Sequence, residues 1–190
     1  MKKALMIVSI LIVAVVSTAC INNIAVQELN NKATQLMQKG DYEAAMSRLQ
    51  ASLDLDASMY QTYYNLGVAA INANKYDKAI EALEAGIKIK PDFNDFYYSL
   101  AVAQIGMADD MLDEADVEET AFADVEKGKI EVKRNISPAQ KAMALELKKA
   151  AIENLQKYKN ADSSISNKED VEEMIKQSEE AIAEVEAKKD

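Results

Sequence analysis

From Ala4 to Val16 the chain is almost continuously apolar, and beyond that stretch apolar positions recur at helical spacing. Leu66, Ala70, Ala79, Ile80, Leu83 and Ile87 form buried stripes of two successive helices. Ser137-Pro138-Ala139-Gln140 is a helix start, with Ser as cap, Pro at the first position and Gln closing a capping box. After it Met143, Leu147, Ala150, Ala151, Leu155 and Tyr158 predict a helix over Ser137–Lys159. A second capping box at Ser166–Glu169 opens a last helix with one stripe, Val171, Met174, Ile175, Ile182 and Val185. Glu172–Lys176 and Glu184–Lys188 are expected as i,i+4 pairs on its wet side. Ser58 and Asp92 are the expected N-caps of two earlier helices. With only two Pro and five Gly, the chain predicts long helices rather than a turn-rich sheet.

The stripes repeat. A shift of 34 residues brings Asp41-Tyr42 onto Lys75-Tyr76, Ala45 onto Ala79, Leu49 onto Leu83, Leu29 onto Tyr63 and Gly40 onto Asn74. Gly40 and Asn74 both tolerate the left-handed conformation that ends a helix, and Pro91 marks a repeat boundary. Gly67 and Ala79 are small enough to let two helix backbones approach. The run Tyr63, Leu66, Gly67, Ala70, Ala79, Leu83, Gly86 and Pro91 resembles the tetratricopeptide repeat, a helix–turn–helix unit of 34 residues.

The resemblance implies an all-α fold, a right-handed superhelical stack of helix pairs closed by a C-terminal capping helix. It places repeat one at 26–59, with Lys32 and Ala33 where Leu and Gly are usual, and repeat two at 60–93. A third pair spans 94–160, with Tyr97, Leu100 and Ala101 in register. It is interrupted by an acidic insertion over 109–137, because Ala108 stands where Gly40 and Asn74 stood. The pair is read as a helix over Asn94–Met107 against Ser137–Lys159, with a separate helix over about Asp109–Lys127. The capping helix lies in 161–190.

Such stacks bind peptides on the concave face made by the first helix of each pair. By register that face takes Tyr64, Asn65, Val68, Ile71, Tyr98 and Val102 as peptide-binding residues, beside Gln27, Asn30, Thr34, Gln61, Asn72, Asp95, Ser99 and Ile105. Lys and Arg are absent from these places, which removes the carboxylate clamp of some family members and favours an apolar or aromatic segment. The alternative is that these side chains pack against a neighbouring helix of the same chain.

The N-terminus reads as an address. Met1-Lys2-Lys3, the apolar run and Ser17-Thr18-Ala19 describe a secretory signal over 1–19. The one Cys of the chain, Cys20, follows immediately and resembles the lipidated Cys of bacterial lipoproteins, although Ser17 departs from the aliphatic residue usual there. The resemblance implies diacylation of Cys20, a short linker over 20–25 and, with Ile21 rather than Asp next, the outer membrane of a two-membrane bacterium. Ala4–Ile21 is also just long enough to span a bilayer uncleaved.

Composition narrows the chemistry. The chain has no His and one Cys, which removes the Ser-His-Asp triad, the Cys-His pair and cysteine zinc sites. A net charge of −10 argues against nucleic acid. No cofactor, metal or small-molecule substrate is expected. The insertion holds ten acids against four bases, but no Gly lies between Gly106 and Gly128, so an EF-hand loop is absent. The expectation is a non-catalytic adaptor, anchored by lipid in the cell envelope, that binds a protein or peptide. Two other readings are an enzyme using Asp109 and Asp113 as acid and base, and a structural protein pairing through the Val171–Val185 stripe.

Overall fold

A computed structural model describes residues 23–114, 137–161 and 166–187. The signal segment, Cys20 and most of the acidic insertion lie outside the described residues. Among the described residues the protein is all α-helical: α1 (23–38), α2 (Tyr42–Leu55), α3 (Tyr60–Asn72), α4 (Tyr76–Ile89), α5 (Asp95–Glu114), α6 (Pro138–Ala161) and α7 (Lys168–Ala187). From α2 to α4 and from α5 to α7, each helix packs on the next in sequence. The chain divides into two compact units, Met1–Asp92 and Phe93–Asp190.

In the first unit the 34-residue repeat is visible in the turns. Gly40 (φ 78°) and Asn74 (φ 54°) both adopt the left-handed conformation. Each closes its helix with the same two bonds. Gly40 N–H donates to Met37 O and Asp41 N–H to Leu36 O, both at 3.0 Å; Asn74 N–H donates to Ile71 O at 3.0 Å and Lys75 N–H to Ala70 O at 2.8 Å. This is the Schellman arrangement, which satisfies carbonyls left over at a helix end. Asp41 then caps α2, its Oδ1 accepting from Ala44 N–H at 3.2 Å. Lys75 holds the same place before α4 without capping it and pairs with Glu43 of α2 instead.

Two of the expected caps are displaced. Ser58 does not cap α3, which starts after Met59 with no side-chain cap. The Ser58 hydroxyl and N–H both donate to Asp56 Oδ1, at 2.6 and 2.8 Å, and hold the Asp56 carboxyl below its ordinary range. Asp92 does not cap α5, which starts at Asp95. It accepts from Lys90 Nζ at 2.7 Å, and that bond lowers its pKa. In both cases a nearer partner, the acceptor Asp56 for Ser58 and the donor Lys90 for Asp92, engages the polar group first.

The core of this unit is small-residue packing around leucines: Ala45, Leu49, Ala69, Ala70, Ala79 and Leu83 are buried. A Cβ built on Gly67 would stand 2.5 Å from Leu83 Cγ, so α3 and α4 meet where only glycine fits. Ala33 is buried, whereas Lys32 is exposed and pairs with Glu28 at 2.7 Å. One polar knot ties three helices. Asn30 of α1 donates through Nδ2 to Ser52 Oγ of α2 (2.7 Å) and accepts through Oδ1 from Thr62 Oγ1 of α3 (3.2 Å). Ser52 and Thr62 are fully buried. Asn30→Ala removes this shared partner, and we expect a loss of about 1–2 kcal/mol. A urea midpoint equal to that of the wild type would exclude it.

In the second unit α5 does not stop at Met107. Ala108 is buried and helical, and α5 continues to Glu114, so Asp109–Glu114 belongs to α5 rather than to a separate helix. Nothing between Ala108 and Glu114 breaks a helix, and α5 reaches about 30 Å. Its partner α6 opens on the expected capping box: Gln140 N–H donates to Ser137 Oγ (3.2 Å) and Ser137 N–H to Gln140 Oε1 (3.4 Å).

The buried stripe of α6 is Ala144, Lys148, Ala151, Asn154 and Leu155. Met143, expected inside, is 50% exposed. The stripe is turned by one residue because two buried polar side chains find partners on α5, one of them buried (Gln104) and one at the surface (Asp109). Asn154 Nδ2 donates to Gln104 Oε1 at 2.9 Å, and Lys148 Nζ to Asp109 Oδ1 at 2.6 Å. With the Tyr98–Tyr158 ring pair at 5.2 Å, these partners advance along α5 as they step back along α6, the register of an antiparallel pair.

Helix α7 opens at Lys168, one residue later than a Ser166 cap implies, with Val171 N–H donating to Asn167 O. Its stripe packs inward. Val171 joins Ala101, Ala151 and Leu155 in one buried cluster, and Met174 and Ile175 lie against it. Glu172 pairs with Lys159 of α6 at 3.1 Å, and Lys176 with Glu180, in place of the expected Glu172–Lys176 pair.

Candidate protein-binding surfaces

Helix α3 carries no charged residue over Tyr60–Asn72. Tyr64, Val68 and Ile71 recur at i, i+4 and i+7, so they share one face, with Asn65 beside them. All four are half-buried. Gln61 and Asn72 are exposed at the ends of this row, and Asn72 Nδ2 is turned back onto Val68 O at 2.8 Å. The face is a neutral strip of aromatic, aliphatic and amide groups. It suits contact with apolar or aromatic side chains and offers no ion to a carboxylate.

The corresponding positions of the other first helices are used differently. On α1, Gln27 and Thr34 are exposed, but Asn30 is not a free surface group, because it is committed to Ser52 and Thr62. On α5, Ser99 is buried rather than exposed. Tyr98 and Ile105 pack against the cluster formed with α6 and α7, while Val102 is half-buried. The two tyrosines therefore differ: Tyr64 sits on a helix whose row lacks charge, and the ring of Tyr98 lies tilted against that of Tyr158.

A second feature lies on another side of α3. A groove of about 870 Å³ runs between α2 and α4. Met46, Leu53, Tyr63, Leu66 and Ala82 are its apolar lining. Glu43 and Asp54 of α2 and Lys78 and Glu81 of α4 are its charged rim. Sequence reading missed this groove. Its only signal was the run of small residues on α2 and α4, which has meaning once the two helices lie side by side.

Residues 36–105 match the tetratricopeptide repeat family. The match begins in the last turn of α1 and ends in α5, so it takes in both left-handed turns and the Gly67–Leu83 contact. Two crystal structures of MamA are similar to this chain. One has 20% identity and a TM-score of 0.44 over 86% of this chain and 81% of the other. The second has 20% identity and a TM-score of 0.46 over 90% and 79%. No curated protein matches the chain.

Of the carboxylate pair posed for catalysis, Asp109 and Asp113, the described residues show the side chain of one member only. Asp109 is bonded to Lys148, and the side chain of Asp113 lies outside the described residues. Among the described residues no cluster of three or more His, Cys, Asp or Glu could hold a metal. No described helix is long and apolar enough to cross a membrane.

Proposed function

We propose that this protein is a lipid-anchored, non-catalytic adaptor of the bacterial cell envelope, which holds a protein or peptide partner against the α3 face. The observation that carries the reading is the uncharged row of Tyr64, Asn65, Val68 and Ile71 within the segment that matches the tetratricopeptide repeat. Tyr supplies contact area at low entropic cost, so Tyr64 is the anchor of the surface. The anchor reading rests on the position of Cys20 directly after Ser17-Thr18-Ala19. Two or more acyl chains hold stably where one does not. Loss of Lys2 and Lys3 with the signal leaves a mature charge of −12, which repels anionic head groups and leaves lipid as the main attachment. With Ile21 after the Cys, the favoured site is the outer membrane facing the periplasm.

Mass spectrometry of the native N-terminus is expected to find a diacylated Cys20; an intact Met1 would remove the lipid anchor. For the partner, crosslinking captures candidates and Tyr64→Ala sorts them. We expect at least a tenfold loss of affinity, on the order of a hot-spot aromatic. Equal capture by wild type and variant would remove the α3 surface from the proposal.

A further inference from the structure

We propose that the groove between α2 and α4 is a second docking surface, which takes a cationic amphipathic helix of a partner protein. The argument begins with its shape. Its lining runs over Glu43–Asp54 of α2 and Lys78–Ala85 of α4, about 16 Å and about 10 Å along the two helices, so the groove has the length of a docked helix of about two to three turns. Ala51, Ala82 and Ala85 line its walls, and such small side chains let a helix come close. Met46, Leu53, Tyr63 and Leu66 give it an apolar floor, the surface that an amphipathic helix lays its apolar stripe upon.

Charge then selects the occupant. The rim carries Glu43, Asp54 and Glu81 beside the ammonium of Lys78, and Lys75 already pairs with Glu43, so Asp54 and Glu81 are the acids left to a partner. Asp54 stands on the α2 wall and Glu81 on the α4 wall. Basic residues flanking the apolar stripe of a docked helix would therefore meet acids on both sides. Asp54 lies in the last turn of α2, where no basic residue offsets the negative end of the helix dipole. That end of the groove is the stronger attractor for Lys or Arg. This surface is independent of the α3 face, since Tyr63 and Leu66 line the groove while Tyr64, Val68 and Ile71 do not.

The test uses the full chain in non-ionic detergent and a fluorescent 18-residue helix built of Leu and Lys in amphipathic order, read by anisotropy against micelles alone. Its counterpart with Glu for Lys is the charge control. Binding of the Lys helix but not the Glu helix is expected. Ser47→Trp, which fills the groove from an exposed position, and Glu81→Lys are each expected to weaken binding at least tenfold. Glu153→Lys makes the same charge change at an exposed site on α6 and is expected to bind within twofold of wild type. Equal loss in Glu153→Lys would mean attraction to net charge alone and would overturn the proposal. So would wild-type binding by Ser47→Trp with an unchanged circular dichroism spectrum. Sedimentation of the same variants covers the other occupant. If wild type dimerises and Ser47→Trp does not, the groove holds a second copy of this chain, and the partner reading fails.

Discussion

Gly67→Leu is expected to destabilise the first unit by about 3 kcal/mol, at the upper end of what overpacking costs in a close-packed core. The reason is local. A Cβ on residue 67 stands 2.5 Å from both Cγ and Cδ2 of Leu83, and Leu83 is completely buried, so its branch point has nowhere to retreat. Replacing Gly in a helix interior normally gains about 1 kcal/mol of propensity, which the clash outweighs here. The paired change makes the argument specific. Leu83→Ala alone leaves a cavity and is expected to cost about 2–5 kcal/mol. In the double variant the leucine side chain introduced at position 67 enters that cavity, so the two losses should be less than additive by at least about 1 kcal/mol. Urea unfolding followed by circular dichroism measures all four corners of the cycle. Strict additivity would show that α3 and α4 do not meet through these two positions.

What was legible in the sequence follows from how far apart the determinants lie. Gly40 and Asn74 act through backbone conformation at the repeat spacing, so the period of 34 exposes them, and Gly67 meets its one neighbour, Leu83, within a single repeat. The Ser137–Gln140 capping box is likewise contained in four residues. Periodicity failed on α6 by one position. It assigns Met143 to the core by its hydrophobicity and leaves Lys148 and Asn154 outside, whereas their places depend on Asp109 and Gln104, 39 and 50 residues earlier. A polar side chain enters a core when a partner is within reach to satisfy it, and that pairing leaves no mark in a hydrophobic pattern. Ser58 shows the same competition at short range, since Asp56 takes the hydroxyl that a cap would use. The α3 face was readable from register alone. For Tyr98 register left two outcomes open, and it takes the second, packing on a helix of the same chain, through a contact with Tyr158 that crosses the acidic insertion. The groove of α2 and α4 was hidden for a related reason: its walls are two helices that do not adjoin in sequence.

The Lys148–Asp109 pair carries a prediction whose two halves differ in size. Lys148 is buried, with 4% of its side chain exposed, while Asp109 is 52% exposed. Removing the base leaves an acid that water still reaches; removing the acid leaves an ammonium inside α5·α6 with no compensating charge. Stranding one partner of a buried pair costs about 3–5 kcal/mol, and the half-exposed position of Asp109 reduces this to about 2–3 kcal/mol for Asp109→Ala. Lys148→Met keeps the length and the apolar stem of the side chain while deleting the charge. Replacing a buried ion by a well-packed hydrophobic residue is often neutral or stabilising, so Lys148→Met is expected to fall within about 1 kcal/mol of wild type. The double variant Asp109→Ala with Lys148→Met should recover most of what Asp109→Ala loses, because no buried charge remains. Hydrogen exchange of the α6 amides around Lys148 reads the effect where it arises. Protection there should drop sharply in Asp109→Ala, hold in Lys148→Met and return in the double variant. An equal loss in both single variants would mean that the pair itself, rather than the buried ammonium, sets the stability of α5 against α6.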